Sequence, residues 1–186
     1  MAAPTPLRTA LFAGGCFWCM QPAFDAISGV TRTRVGYAGG TAETANYEAV
    51  STGKTQHLEV IEITYDPQRV RYAQLLETYL ENIDPTQADG QFADRGPQYH
   101  TAIFYADATQ KAAAEKALQA IAVKFAPAPI VVHIIAAAPF YAAEAYHQKY
   151  YEKNSAHYTA YKRGSGRADY LERTWRKGRE RLTNQP

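Results

Sequence analysis

The chain has 186 residues, 46% hydrophobic and 20% charged, with a formal net charge of +2. This composition excludes a disordered chain, and the small net charge gives no reason to expect nucleic acid or a membrane surface as a partner. There is no apolar run of about 18 residues and no signal-peptide pattern at the start. We therefore expect a soluble, cytoplasmic protein with one domain over residues 1–186, divided into a core over about 7–155 and a tail over about 156–186. We also expect a monomer.

Strands and helices follow one another in the first half of the chain. The predicted elements are a strand over residues 7–13, a helix over 16–27, and strands over 30–37 and 58–65. The last strand alternates with period two, which places Glu59 on the same face as Ile61 and Ile63. A carboxylate is therefore expected on a largely apolar face.

The second half continues with both element types. We predict a helix over residues 71–83, a polar loop over 86–98, a strand over 101–105 and a helix that Asp107 and Gln110 open as a variant capping box. The apolar run 130–138 predicts a central strand covered on both faces, followed by a short helix over 142–151. Together these predict an α/β (α+β) fold: a two-layer sandwich with a mixed or antiparallel sheet, a ferredoxin-like core and an irregular wrapping tail.

The clearest chemical motif is the run Gly14-Gly15-Cys16-Phe17-Trp18-Cys19. Two cysteines three apart indicate redox chemistry or half of a metal site. Cys16 stands at a predicted helix start, where free amides and the positive end of the dipole favour a thiolate. Cys19 lies one turn further on, close enough to close a disulfide with Cys16. Phe17 and Trp18 either line an apolar pocket beside the sulfur or pack in the core.

The two cysteines allow other interpretations. A thioredoxin-like disulfide oxidoreductase also carries Cys-x-x-Cys at a helix start, but the Phe-Trp pair and the strand-borne Glu59 argue against it. A zinc-binding module would need two histidines at a recognisable spacing, and the five histidines are scattered. Two buried structural cysteines are the simplest alternative.

The run around Cys16 resembles the signature of the A-type peptide methionine sulfoxide reductases, in the bacterial subgroup with Cys-x-x-Cys. Further matches follow in order over roughly residues 7–175: Gly36-Tyr37-Ala38-Gly39-Gly40, Asn46-Tyr47, His57-Leu58-Glu59-Val60, Tyr65-Asp66-Pro67, Asp84-Pro85-Thr86, Gly90-Gln91-Phe92, Asp94-Arg95-Gly96-Pro97-Gln98-Tyr99, Pro139-Phe140-Tyr141, Tyr146-His147-Gln148 and Tyr161-Lys162-Arg163-Gly164-Ser165-Gly166-Arg167.

The resemblance implies an enzyme that reduces methionine S-sulfoxide, free and in proteins, to methionine, and so repairs oxidised proteins. It places the nucleophile on Cys16 and the acid on Glu59. The remaining implied positions are Phe17 and Trp18 against the substrate methyl group, Tyr47 and Tyr99 on the sulfoxide oxygen together with Glu59, and Asp94 in the wall of the same pocket. Independently of the resemblance, an apolar strand face should raise the pKa of Glu59 enough to keep its proton near neutral pH.

The resemblance also implies how the enzyme is recycled. Attack leaves Cys16 as a sulfenic acid, which Cys19 resolves to a disulfide that thioredoxin reduces. Some relatives use cysteines in a C-terminal tail instead, but this chain contains two cysteines in all. No metal or other cofactor is expected. Gln21 stands where many members carry Glu, and we interpret it as a tolerated change.

Overall fold

The computed structural model describes residues 5–176, which fold around a six-stranded mixed sheet. The described residues form eight strands: β1 (Arg8–Gly14), β2 (Val30–Ala38), β3 (Leu58–Tyr65), β4 (Gly90–Gln91), β5 (Asp94–Arg95), β6 (Thr101–Tyr105), β7 (His133–Ala136) and β8 (Phe140–Ala142). Their α-helices are α1 (Phe17–Asp25), α2 (Tyr47–Ser51), α3 (Tyr72–Leu80), α4 (Ala108–Phe125), α5 (Tyr150–Lys153), α6 (Ser155–Gly164) and α7 (Arg167–Leu171). No helix within residues 5–176 has the length and apolar character needed to cross a bilayer.

The sheet has the strand order β7-β6-β1-β3-β2-β8, while β4 and β5 form a separate small hairpin. Its four middle strands, with α1 and α3, follow the β-α-β-β-α-β order of the ferredoxin-like motif. Neighbouring strands are antiparallel except β6 and β7, which are parallel. The predicted mixed sheet with a ferredoxin-like core is confirmed.

Helices α1, α3 and α4 bury one face of this sheet in the main core. Ile61, Ile63 and Tyr65 of β3 belong to that core, together with Met20 and Phe24 of α1. The alternate residue of β3, Val60, packs in a smaller cluster on the opposite face. Period-two alternation therefore places Glu59 on the helix-covered face, as predicted, at the end of the strand nearest α1.

The apolar run 130–138 does not form the predicted central strand. Only β7 (His133–Ala136) is extended within it, and it lies at the edge of the sheet beside β6. Because β7 runs parallel to β6, the chain crosses over through α4 between the two strands. This crossover places β7 beside β6 at the edge of the sheet. Ile134 packs against the main core, whereas Ile135 is 38% exposed.

The segment after β7 also differs from the prediction. Residues 140–142 form β8 on β2, no regular helix covers 143–149, and α5, α6 and α7 make the tail helical instead of irregular. The Gln148 side chain bonds both backbone atoms of Val35 at 2.8 and 3.0 Å and so holds this segment to β2 without helix hydrogen bonds. The tail helices pack through Tyr and Arg side chains, so the aliphatic periodicity that predicts a helix is missing. Residues 177–186 of the predicted tail lie outside the described residues.

Gln21 has a structural role that the sequence analysis did not predict. Its buried amide donates to Thr33 Oγ1 at 3.0 Å, and its carbonyl accepts from the Lys149 backbone at 2.7 Å. One side chain on α1 therefore joins β2 to the beginning of the C-terminal segment.

Candidate active site

The turn between β1 and α1 places Cys16 as the N-cap residue of α1. Gly15 has φ +75°, and a Cβ atom built on it would lie 2.4 Å from Cβ of Gln91. Only glycine fits such a close approach in this conformation. Gln91 is itself buried and bonds the backbone of Asp84 through both amide atoms at 2.8 Å, so the turn packs against a fixed loop.

A pocket of about 150 Å³ opens beside Cys16. Its lining brings together all the predicted site residues except Cys19, and adds one that was not predicted: Cys16, Phe17, Trp18, Tyr47, Glu59, Asp94, Tyr99 and Tyr161. Cys19 is 2% exposed, lies one turn into α1 and does not line the pocket. Residues that are far apart in the sequence therefore meet at one sulfur atom.

Glu59 lies in the pocket with a side chain that is almost fully buried. Its Oε2 atom accepts a hydrogen bond from the Phe17 backbone amide at 3.1 Å. Burial raises the pKa of the Glu59 carboxyl to about 8, although the bond from Phe17 acts in the opposite direction, and the neighbouring Asp94 raises the pKa further. This carboxyl therefore holds a proton at neutral pH, with one oxygen engaged by α1 and the other available to carry the proton.

The two cysteines form a coupled pair. Burial raises the pKa of the Cys16 thiol well above its usual value, against the expectation that the helix start would favour a thiolate there. The pKa of Cys19 is lowered to about 7, chiefly by a hydrogen bond with Cys16 and also by the positive charge of Arg167. Desolvation outweighs the exposed amides of α1 at Cys16. The pair therefore releases one proton readily, and the resulting negative charge is shared between the two sulfurs.

Tyr161 of α6 covers one side of the pocket. Its hydroxyl donates a hydrogen bond to Asp94 Oδ2 and interacts with the Cys16 sulfur. Burial raises the pKa of Asp94 and of Tyr161. Tyr161 belongs to the C-terminal motif that supported the family resemblance, and that motif was the signal that could have placed it in the site.

Trp18 forms another wall and is held from two directions. Its indole stacks on Tyr150 with centroids 3.9 Å apart and planes 7° apart. Its Nε1 atom donates to Nδ1 of His147 at 2.9 Å, and burial lowers the pKa of His147, which keeps that acceptor neutral. The sequence left open whether Trp18 lines a pocket or packs in the core. Trp18 does both, since one side lines the pocket and the indole also packs against Tyr150 and His147.

Tyr47 lies at the mouth of the pocket at the start of α2. Its backbone amide donates to Glu144 Oε1 at 2.8 Å, and the Tyr37 hydroxyl donates to Glu144 Oε2 at 2.9 Å. The pKa of Tyr47 and of Tyr99 is raised by burial, so both hydroxyls keep a proton to donate. Sequence reasoning missed Glu144, because a glutamate within an alanine- and tyrosine-rich segment carries no signal of a partner about a hundred residues away.

Comparison with known proteins gives one consistent family. Residues 8–179 match the family model described as peptide methionine sulfoxide reductase. A peptide methionine sulfoxide reductase MsrA from Bacillus subtilis (strain 168) is 48% identical over 167 residues, covering 89% of this chain and 94% of its own. The structure of methionine sulfoxide reductase A of Corynebacterium diphtheriae aligns with a TM-score of 0.75 at 34% identity, covering 80% of this chain and 76% of its own.

A more distant structure, Mxr1 from Saccharomyces cerevisiae in complex with Trx2, has a TM-score of 0.54 at 18% identity and covers 81% of this chain and 90% of its own. At this identity the likeness concerns the fold alone.

Proposed function

The chain belongs to the peptide methionine sulfoxide reductase family and is a methionine sulfoxide reductase, and on that premise we propose that it acts on the S epimer, free and in proteins, through Cys16, Glu59 and Cys19. Family membership decides against the thioredoxin-like oxidoreductase and the zinc module that Cys-x-x-Cys left open. The observation that carries the proposed mechanism is the buried Glu59 carboxyl in the same pocket as the Cys16 sulfur, since burial raises the pKa of that carboxyl to about 8.

The pocket is divided by polarity in the way a methyl sulfoxide requires. Phe17 and Trp18 offer apolar surface for the methyl group. Glu59, Tyr47 and Tyr99 offer protons to the oxygen, like the donors of an oxyanion hole. The S-sulfoxide is the epimer that the family resemblance implies.

In the reductive step, the Cys16 sulfur attacks the sulfoxide sulfur while Glu59 passes its proton to the oxygen. The negative charge of the cysteine pair lies on Cys16 at that moment, and the proton of the pair lies on Cys19. The oxygen moves to Cys16 with the Glu59 proton, which leaves methionine and a Cys16 sulfenic acid. Glu59 is then ionised until the cycle closes.

In the recycling step, Cys19 attacks the sulfenic sulfur of Cys16. The S–O bond breaks, a disulfide forms, and the hydroxide leaves as water with the proton that Cys19 held. A dithiol reductant then reduces the disulfide, and a returned proton restores Glu59. We assign thioredoxin as this reductant, as the family resemblance implies; a structure of the same fold, yeast Mxr1, has been solved in complex with Trx2. The cytoplasmic location, the single catalytic domain and the monomeric state stay predictions.

The experiment that tests this function supplies the separated S and R epimers of N-acetylated methionine sulfoxide to the wild type and to Cys16→Ser. We expect the wild type to release the sulfide from the S epimer and Cys16→Ser to release none. Equal consumption of the R epimer would contradict the assigned stereochemistry, and activity in Cys16→Ser would contradict the assigned nucleophile.

A further inference from the structure

Arg167, the first residue of α7, is a buried cation whose partners are mostly uncharged carbonyls. It is 1% exposed. Its Nη2 atom donates to the carbonyl of Gly14 and its Nη1 atom to that of Asn82, both at 2.8 Å, and the guanidinium lies 4.6 Å from the centre of the Phe92 ring. No carboxylate among residues 5–176 forms an ion pair with it. A charge taken out of water costs free energy, so a buried arginine with neutral partners needs a reason.

The guanidinium lies against the segment that carries both cysteines. Gly14 is two residues before Cys16, and a Cβ atom on Gly15 would lie 3.0 Å from Nη2 of Arg167. On the other side, Nη1 is 3.6 Å from the sulfur of Met20, the residue after Cys19. The positive charge is therefore held close to the Cys-x-x-Cys segment by contacts on both sides of it.

We propose that Arg167 is a positioning residue for recycling: it supplies the fixed positive charge that holds Cys19 as the thiolate that attacks the Cys16 sulfenic acid. The inference rests on the proposed function, since it concerns the resolving step of that cycle. In this step the Cys19–Cys16 bond forms, the S–O bond of Cys16 breaks, and the departing hydroxide takes up the proton that Cys19 gave up. Arg167 exchanges no proton or electron, and it does not line the pocket in which the reductive step takes place.

Some of the charged groups around Cys19 raise its pKa, and others lower it. The groups that influence Cys19 electrostatically, or are influenced by it, are Cys16, Glu59, Asp94, Tyr158, Lys162 and Arg167. Negative charge on Asp94 opposes the thiolate, whereas Arg167 and Lys162 favour it. The net effect, including the bond with Cys16, lowers the pKa of Cys19 to about 7 despite its burial. Removing the Arg167 charge should therefore raise this pKa and move recycling to higher pH.

The test gives the enzyme a single pulse of sulfoxide at each of several pH values and follows the reductive step and the resolving step separately. Methionine release reports the reductive step, and loss of the Cys19 thiol reports disulfide formation. The variants are Arg167→Met and Arg167→Lys, with Arg163→Met as a matched control that removes an exposed arginine from the same region. Thermal unfolding checks that each variant folds.

We expect Arg167→Met to release one methionine per enzyme and to form the disulfide about fivefold more slowly at pH 7, because its pH midpoint should rise by about one unit from about 7. Arg167→Lys should keep a midpoint near that of the wild type, because it keeps the charge while losing part of the carbonyl clamp. Arg163→Met should behave like the wild type. An unchanged midpoint in Arg167→Met, or equal shifts in the Met and Lys variants, overturns the proposal.

A second measurement follows the ionisation of Cys19 directly and does not depend on turnover. In Cys16→Ser, the ultraviolet absorbance of the thiolate reports the ionisation of Cys19 alone. The pKa of Cys19 in the double variant Cys16→Ser/Arg167→Met should be higher than in Cys16→Ser, because the two proteins differ only in the Arg167 charge, and equal pKa values overturn the proposal. Failure of the wild type to release methionine from the sulfoxide would instead refute the proposed function, which keeps the two outcomes distinguishable.

Discussion

The two sides of the pocket are built differently. Its floor comes from the β1–α1 turn and β3, where Cys16 and Glu59 are joined through the Phe17 amide inside the sheet-and-helix core. Its wall comes from residues 144–167, where Glu144, His147 and Tyr161 each depend on a few side-chain contacts. Backbone geometry therefore places the atoms that we propose to react, whereas substrate fit and recycling should depend on side-chain contacts that can be removed one at a time. Substitutions in the floor should strongly lower the rate of the first turnover, whereas substitutions in the wall should cause smaller changes in kcat/KM or KM.

The largest effect is expected in the floor, from Glu59→Gln. The amide is similar in shape but has no acidic proton to give, and a positioned general acid contributes about 10²–10⁴-fold to rate. The first-turnover rate of methionine release should fall by that factor. Glu62→Gln is the matched control: it lies three residues further along β3, where it pairs with Arg34 away from the pocket. A loss as large in Glu62→Gln would show that the strand, and not the acid, had been disturbed.

The pH dependence of the same step tests the charge state of the floor. The acid works only while protonated, so its contribution is present below the Glu59 pKa of about 8 and is lost as pH rises through this value. The first-turnover rate of the wild type should therefore decline above about pH 8, and Glu59→Gln should lack this decline. A wild-type rate that already falls between pH 4 and 5 would mean that the carboxyl ionises like an exposed one.

In the wall, Tyr161→Phe should have a smaller effect. It removes the hydroxyl that donates to Asp94 and interacts with Cys16. Since a hydrogen bond to a charged group contributes roughly 1.5–3 kcal/mol, we expect kcat/KM to fall by roughly 10- to 100-fold. Tyr158→Phe, one turn earlier on α6, is the control and should retain activity. Equal losses in the two variants would assign the effect to packing of α6.

The smallest effect is expected from Glu144→Ala, which acts on the pocket through Tyr47. Without the carboxylate, the start of α2 loses its 2.8 Å bond and Tyr37 loses its acceptor. We expect KM to rise severalfold with little change in kcat, because a displaced Tyr47 weakens substrate positioning more than the chemical step. Glu48→Ala, at an exposed position of α2, controls for charge and helix propensity. A fall in kcat alone would argue that Glu144 acts elsewhere.

The floor was also the more predictable region. The strand over 58–65 and the burial of Glu59 follow from period-two alternation, which is a local property of the sequence. Asp107 accepts from the Gln110 amide at 2.8 Å, as the N-cap pattern predicted, whereas the Gln110 side chain accepts from Ala106 in place of Asp107. Local patterns therefore gave the middle of the sheet and the helices that cover it.

The wall was less predictable, because its structure depends on contacts between distant parts of the chain. Gln148 bonds the backbone of Val35 in a segment that forms no regular helix. Arg167 donates to the backbone carbonyls of Gly14 and Asn82, which are distant in the sequence. Neither contact leaves a periodic trace in the sequence. The pKa of Cys16 shows the same limit, since the helix start was visible in the sequence but the burial that outweighs it was not.

The most direct test of the account is the stoichiometry of Cys19→Ser. Wild type and variant receive excess methionine S-sulfoxide, first without reductant and then with thioredoxin, and the methionine released per enzyme is counted. We expect one methionine from the variant, followed by a stall that thioredoxin does not relieve, while the wild type turns over repeatedly once thioredoxin is present. Wild-type turnover in Cys19→Ser with thioredoxin would contradict the assignment of Cys19 as the resolving cysteine.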